Sequence, residues 1–169
     1  MTPQPVAPGS ILLHIGPHKT GTTALQTAAE ASRGALAAHG VLYPGTKHNH
    51  TAAAVSAKGA ASGWLVRQRT AVDPSKWSEL VAEIEQRRGR ALVSSELFCE
   101  ASPEVAQRVV SELGGDCVRV AITVRSMARV LPSAWVQAVR GGSPETYEEY
   151  LRNRVTEVPR PAPDAPFDA

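Results

Sequence analysis

The chain has 169 residues, a net charge of +2 and 43% hydrophobic residues, enough for one domain with a real core and too weakly charged to make an electrostatic case for nucleic acid. No apolar run approaches the ~18 residues of a membrane span, and the opening "MTPQPVAPGS" has neither the basic nor the apolar region of a secretory signal. Cys99 and Cys117 are too few for a disulfide framework and lack metal-ligand spacing, so the expectation is a cytoplasmic protein with two reduced, buried thiols.

Residues 1–10 read as a disordered lead-in, 11–154 as one domain and 155–169 as a proline-rich tail. "ILLHI" (11–15) suits a buried strand, and its alternation makes His14 a satisfied core histidine. The alanine-rich stretch from Thr22 to His39 predicts a helix with Leu25, Ala29 and Leu36 on one face and Gly40 as its stop. "VLYP" (41–44) predicts a short strand or extended turn, and residues 49–69 a weakly patterned helix. Three further helix starts pair a capping residue with proline: Asp73-Pro74, Ser102-Pro103 and Ser143-Pro144. Between them lie two strand-like runs, "ALVSS" (91–95) and "CVRVAITV" (117–124), with Gly114-Gly115 closing the helix before the second. Strand and helix alternate. That order predicts a three-layer, P-loop-like α/β fold, a central parallel sheet flanked by helices. Ligands of such folds bind at the carboxyl ends of the strands, which singles out the 16–23 loop, Ser94-Ser95-Glu96 and Arg125-Ser126.

The first loop, "GPHKTGTT", has the outline of a phosphate loop but not the pattern G-x-x-x-x-G-K-[ST]. Gly16 and Gly21 keep the spacing, Thr22 stands where the lysine belongs, and Lys19 lies inside the loop. The chain has only four lysines, Lys19, Lys47, Lys58 and Lys76, so one within this loop carries weight. Unpaired N–H groups and the dipole at a helix start favour an anion. Thr20, Thr22 and Thr23 add hydroxyls, Gly21 permits close approach, and Lys19 adds a full charge. Arg125 follows the strand "RVAITV" and Ser133 comes eight residues later. A guanidinium fork with a hydroxyl suits a second phosphate, and Arg129 and Arg140 lie nearby in sequence. Nucleoside-triphosphate hydrolases usually hold Mg²⁺ with an aspartate at a strand end. Here the strand ends offer Glu96 and Arg125 instead, which points to group transfer carried by cationic groups, with no metal.

The segments "PHKTGTT" and "VRSMARVLPS" together resemble the two signature segments of sulfotransferases that use 3′-phosphoadenosine 5′-phosphosulfate (PAPS), in order and in internal spacing. "KTGTTALQ", "VLYPG", "SSE" and "LPSAWVQAV" are most similar to the bacterial branch, and the resemblance spans roughly residues 11–150. It implies that PAPS is the co-substrate. Lys19 would contact the bridging oxygen, Thr20, Gly21, Thr22 and Thr23 would hold the 5′-phosphate, and Arg125 and Ser133 the 3′-phosphate. His18, inside the loop, would shape it. The acceptor's hydroxyl or amine also needs a base. Family members use a histidine or a glutamate, and Glu96, at the end of "ALVSS", is the first candidate, with His48 and His50 of "KHNHTA" behind it. Glu96 could equally be a capping or salt-bridging carboxylate, and the two histidines part of a surface loop.

The resemblance thus implies sulfuryl transfer to a small molecule or glycan, with no nucleic-acid or membrane partner. Many family members carry a further glycine- and base-containing segment closing over the nucleotide, and Ala169 comes before any such segment. The sequence therefore reads as an N-terminal fragment or shortened member, with a non-catalytic nucleotide-binding module, or a kinase-like P-loop enzyme, as the alternatives.

Overall fold

The computed structural model describes residues 6–60 and 71–155. The chain divides into two compact units, Met1–Arg125 and Ser126–Ala169. In the first, strands β1 (Ile11–Ile15), β2 (Val41–Leu42), β3 (Arg90–Ser94) and β4 (Val118–Ile122) form one sheet in the order β2-β3-β1-β4. Every pairing is parallel, with Ile11 opposite Ala91 on one side and Val118 on the other, and Val41 opposite Arg90. Helices α1 (Thr22–Ala31), α2 (Arg33–Ala38), α3 (Thr51–Lys58), α4 (Ser75–Glu85) and α5 (Pro103–Glu112) lie between the strands in sequence. The protein is therefore α/β, a four-stranded all-parallel sheet flanked by helices, as the alternation of elements implies.

Parallel pairing needs crossovers, and crossovers cover sheet faces. Ile11, Leu13, Ala91 and Val93 are at most 4% exposed, in one cluster with Ala54 and Val55 of α3, Trp77, Leu80 and Ile84 of α4, and Val109 of α5. The alternate residues His14 and Ser94 point to the opposite face and are buried too. They meet α1, whose buried residues are Thr22, Gln26 and Ala29, spaced to share one helix face. The expected apolar face is therefore corrected: Leu25 is 36% exposed. The sheet surface beneath α1 is polar, so the helix turns a glutamine toward it.

Other boundaries shift in the same local way. The expected helix from Thr22 to His39 breaks at Ser32 into α1 and α2 before Gly40, at φ 70°, ends it. Ser102 caps α5 through its side chain, accepting from the Val105 N–H at 3.4 Å, with Pro103 at the first position. Val6 and Gly9 are not a loose lead-in, since their carbonyls accept from Arg90 and Arg87. Cys99 and Cys117 are free, as expected, but exposed rather than buried. The expected helical stretch 61–69, residues 1–5 of the lead-in and 156–169 of the tail lie outside the described residues. Among those described, no helix is long and apolar enough to cross a membrane.

The second unit contains α6 (Met127–Arg140) and α7 (Tyr147–Val155). Trp135 of α6 donates its indole N–H to the Glu145 carbonyl at 2.9 Å, and its ring lies 5.3 Å from that of Tyr147. Helix α7 does not begin at Ser143-Pro144. Thr146 accepts from the Glu149 N–H at 3.3 Å, and the Glu149 carboxylate accepts from the Thr146 N–H at 2.8 Å. This reciprocal capping box fixes the start three residues later than the proline signal suggests.

Candidate functional site

The sheet order makes the carboxyl ends of β1 and β3 the informative place. From β1 the chain passes to β2 on one side, and from β3 it crosses to β4 on the other. Ligands of open parallel sheets bind where connections diverge in this way. The 16–23 loop leaves β1 there, Ser95 and Glu96 follow β3, and Thr123 to Arg125 follow β4.

The loop is tightly determined. A Cβ on Gly16 would lie 2.3 Å from Thr123 Oγ1, 2.8 Å from Thr22 Cγ2 and 2.9 Å from Thr20 Oγ1, so only glycine fits. Gly21 has φ 100° as the residue before α1. Lys19 has φ 70°, the one non-glycine residue with positive φ among those described. This left-handed conformation costs an L-residue roughly 1–2 kcal/mol and is held by its surroundings. Arg125 donates to the Lys19 carbonyl at 3.3 Å. The main-chain N–H groups of Lys19, Thr20, Gly21, Thr22 and Thr23 meet no acceptor among the described residues. Successive N–H groups around left-handed residues at a helix start form an anion-binding concavity.

The threonines differ from one another. Thr20 donates its hydroxyl to the Pro17 carbonyl at 2.7 Å, which leaves its main-chain N–H, not its hydroxyl, for a ligand. Thr22 is 5% exposed and packs under the loop, whereas Thr23 is exposed. The Lys19 ammonium has no acidic partner among the described residues. His18 is held at the loop's rim, its Nε2 2.7 Å from Glu100 Oε1, and Lys58 donates to the other oxygen of Glu100 at 3.0 Å.

Glu96 begins a 3-10 turn, Glu96–Glu100, capped by Ser95, whose hydroxyl accepts from the Leu97 N–H at 3.3 Å. One Glu96 oxygen accepts from Gln26 Nε2 at 3.3 Å. The carboxylate is partly exposed and anchored on one side.

His50 is no surface residue. It is 5% exposed, its Nδ1 accepts from the Ser94 N–H at 2.9 Å, and its Nε2 donates to the Pro44 carbonyl at 3.0 Å. Nδ1 also lies 3.2 Å from the Ser94 carbonyl, and burial holds the ring's pKa below the ordinary 6.5 against the Pro44 and Ser94 carbonyls, which raise it. Both ring nitrogens are spent on main chain, so its role in this arrangement is to fasten the β2–α3 connection to β3. His48 is exposed and bonded to Asn49. Ser133 lies on α6 of the second unit and is half-buried; Arg125 closes the first unit.

Sequence reading singled out Lys19, Ser94, Glu96 and Arg125 but missed Gln26 and Thr123, which join them. His14 Nδ1 is 2.8 Å from Ser94 Oγ and its Nε2 3.2 Å from Thr123 Oγ1. Gln26 Nε2 also donates to Ser94 Oγ at 3.2 Å, and Thr123 Oγ1 is 3.1 Å from Thr20 Oγ1. The detectable signal was Gln26 itself, a polar residue four places after Thr22 on a helix opening against the sheet.

Fold and site together define a parallel α/β chain whose polar groups converge at three strand ends. No family model, no curated protein and no solved structure matches it.

Proposed function

We propose that the chain is a P-loop-like domain that binds PAPS and transfers its sulfuryl group to a hydroxyl or amine of a small molecule or glycan. The observation that carries this reading is the run of five main-chain N–H groups, Lys19 to Thr23, unaccepted among the described residues and curled around left-handed Lys19 and Gly21. Its position after a central parallel strand, in the order β2-β3-β1-β4, and the resemblance of "PHKTGTT" to the 5′-phosphosulfate loop support the same reading.

In this mechanism the N–H groups of residues 19–23 hold the 5′-phosphate. The acceptor oxygen or nitrogen attacks sulfur, the new bond to sulfur forms, and the bond from sulfur to the bridging oxygen breaks. That oxygen leaves as a phosphate oxyanion, and the Lys19 ammonium stabilises the charge where it develops. Glu96, anchored by Gln26 through one oxygen, takes the acceptor's proton through the other. Arg125 spends one N–H on the Lys19 carbonyl and offers the rest of its fork to the 3′-phosphate. His50 has no part in the chemistry.

Calorimetry with adenosine 3′,5′-bisphosphate and, separately, with ATP–Mg²⁺ tests the reading. We expect the bisphosphate to bind without added metal. Binding of ATP–Mg²⁺ alone would sink the proposal in favour of kinase-like chemistry. With labelled PAPS and an acceptor panel, Lys19→Ala should lower transfer by about 10²–10³-fold while the protein stays folded. Unchanged turnover would remove Lys19 from the mechanism.

A further inference from the structure

The polar contacts between α1, β3, β1, β4 and the loop form one chain, and the supply of hydrogens gives it a direction. Pro17 O can only accept, so the single hydroxyl hydrogen of Thr20 is committed to it. The contact between Thr20 and Thr123 must then use the hydrogen of Thr123. With that hydrogen spent, Thr123 Oγ1 can only accept from His14, so His14 Nε2 carries the proton. In the neutral ring Nδ1 is then an acceptor, and the Ser94 hydroxyl donates to it. Ser94 Oγ in turn accepts from the Gln26 amide, whose other hydrogen goes to Glu96. Reversing that amide would set its oxygen against a carboxylate. Every hydrogen has one position, from Gln26 through to Pro17 O.

The far end of this chain matters most. The Thr20 hydroxyl reaches back three residues to Pro17 O, closing a ring that contains His18 and Lys19. Thr123 fixes the Thr20 hydroxyl, and His14 fixes Thr123. We propose that His14 is a positioning residue: through Thr123 and Thr20 it holds Lys19 in its left-handed conformation and so keeps the N–H groups of residues 19–23 turned toward the ligand. Through Ser94 and Gln26 the same ring sets the orientation of Glu96. His14 touches no ligand, and the proposal as it concerns binding rests on the PAPS reading above.

The chain also requires a neutral imidazole. Protonation would add a donor at Nδ1 facing Ser94 Oγ, whose own hydrogen would have to leave its present acceptor while the Gln26 hydrogen still points at the same oxygen. Glu96, from the turn after β3, is the charged group acting on His14, and burial outweighs it in keeping the pKa below 6.5. Gln26, Ser94 and Thr123, the other groups facing the ring, do not titrate.

The test is made on the full chain by NMR and calorimetry, with Thr123→Ala deleting the hydroxyl and Thr123→Ser restoring it. Nitrogen shifts of the His14 ring should report the Nε2–H tautomer at neutral pH. Carbon shifts of Lys19 should report positive φ in the wild type and in Thr123→Ser, and lose that signature in folded Thr123→Ala. Affinity for adenosine 3′,5′-bisphosphate should fall roughly tenfold or more in Thr123→Ala and recover in Thr123→Ser. A His14 ring protonated at Nδ1, or a left-handed Lys19 with unchanged affinity in Thr123→Ala, overturns the proposal. A wild type that fails to bind the bisphosphate overturns the PAPS reading, while the Lys19 shifts still decide whether the chain holds the loop.

Discussion

At the scale of single residues, the loop contains two glycines required for different reasons. Gly16 is a matter of space, because an added methyl collides with Thr123, Thr22 and Thr20. Gly21 is a matter of backbone, because nothing lies within 4 Å of an added Cβ but φ is 100°. Gly16→Ala should destabilise by about 1–3 kcal/mol through crowding, lowering the melting temperature by roughly 2–4 °C per kcal/mol in a chain of this size. Gly21→Ala should lose about 1–2 kcal/mol through strain alone. Lys19 presents the reverse case, a charged residue where glycine would be more comfortable. Relief of left-handed strain offsets the entropy glycine loses on folding, about 0.5–1 kcal/mol. Lys19→Gly should therefore melt no lower than the wild type yet lose sulfuryl transfer. Thermal melts of the three variants check this, and a Lys19→Gly protein melting well below wild type would mean that the side chain supports the fold instead.

At the scale of elements, the parallel sheet was legible because buried strands and their crossovers leave strong marks. The runs at 11–15, 91–95 and 117–124 all became strands, the first with its bounds unchanged, the second shifted one residue earlier to Arg90–Ser94 and the third shortened to Val118–Ile122. The inner face of α1 was not legible. Its contact residues, Thr22, Gln26 and Ala29, look like a surface pattern until the sheet beneath is known to carry His14 and Ser94. The start of α7 was misread because two capping signals stood three residues apart and only the Thr146–Glu149 box closes both of its hydrogen bonds. The candidate site divides in the same way. Lys19 and Glu96 could be found from strand ends and charge, whereas the partners that orient them are distant in sequence, Gln26 lying 70 residues from Glu96 and Thr123 lying 109 from His14. His50 shows the consequence. As a histidine in a polar stretch it suggested a base, yet it is a buried fastener between elements. His50→Ala leaves the Ser94 N–H without its acceptor, at about 1–3 kcal/mol, in addition to the lost packing. Urea denaturation should therefore show a large loss of stability. Any protein that remains folded should retain its bisphosphate affinity, which a direct ligand contact by His50 would not allow.

At the scale of the whole molecule, His14 and His50 hold the two sides of Ser94, one its side chain and the other its main chain. Both are held below the ordinary pKa of 6.5, chiefly by burial. Glu96 pulls His14 the other way. Around His50, Glu83 and the hydrogen bonds to Pro44 and Ser94 raise the pKa, while Arg33 lowers it. The folded chain thus binds these two protons at lower pH than the unfolded chain does. Between the two pKa values the unfolded state carries more protons, so stability rises with pH. The contribution is complete above the unfolded value of 6.5 and is lost as pH falls from there toward the folded values. The slope is about 1.4 kcal/mol per pH unit for each histidine, so up to roughly 2.7 kcal/mol per unit for the pair. Asp73, Glu79, Glu104 and Glu149 have pKa values lowered from 3.8 or 4.5, so their protonation begins below the histidine window. Urea midpoints should therefore change little from about pH 7.5 to 6.5 and then fall toward about pH 5.5, and His14→Gln and His50→Gln should each flatten that lower slope by about one proton. Stability independent of pH across that interval would mean that both rings accept a proton in the folded chain as readily as in the unfolded one. The directed hydrogen-bond chain through His14 would then give the folded state no preference for a neutral ring.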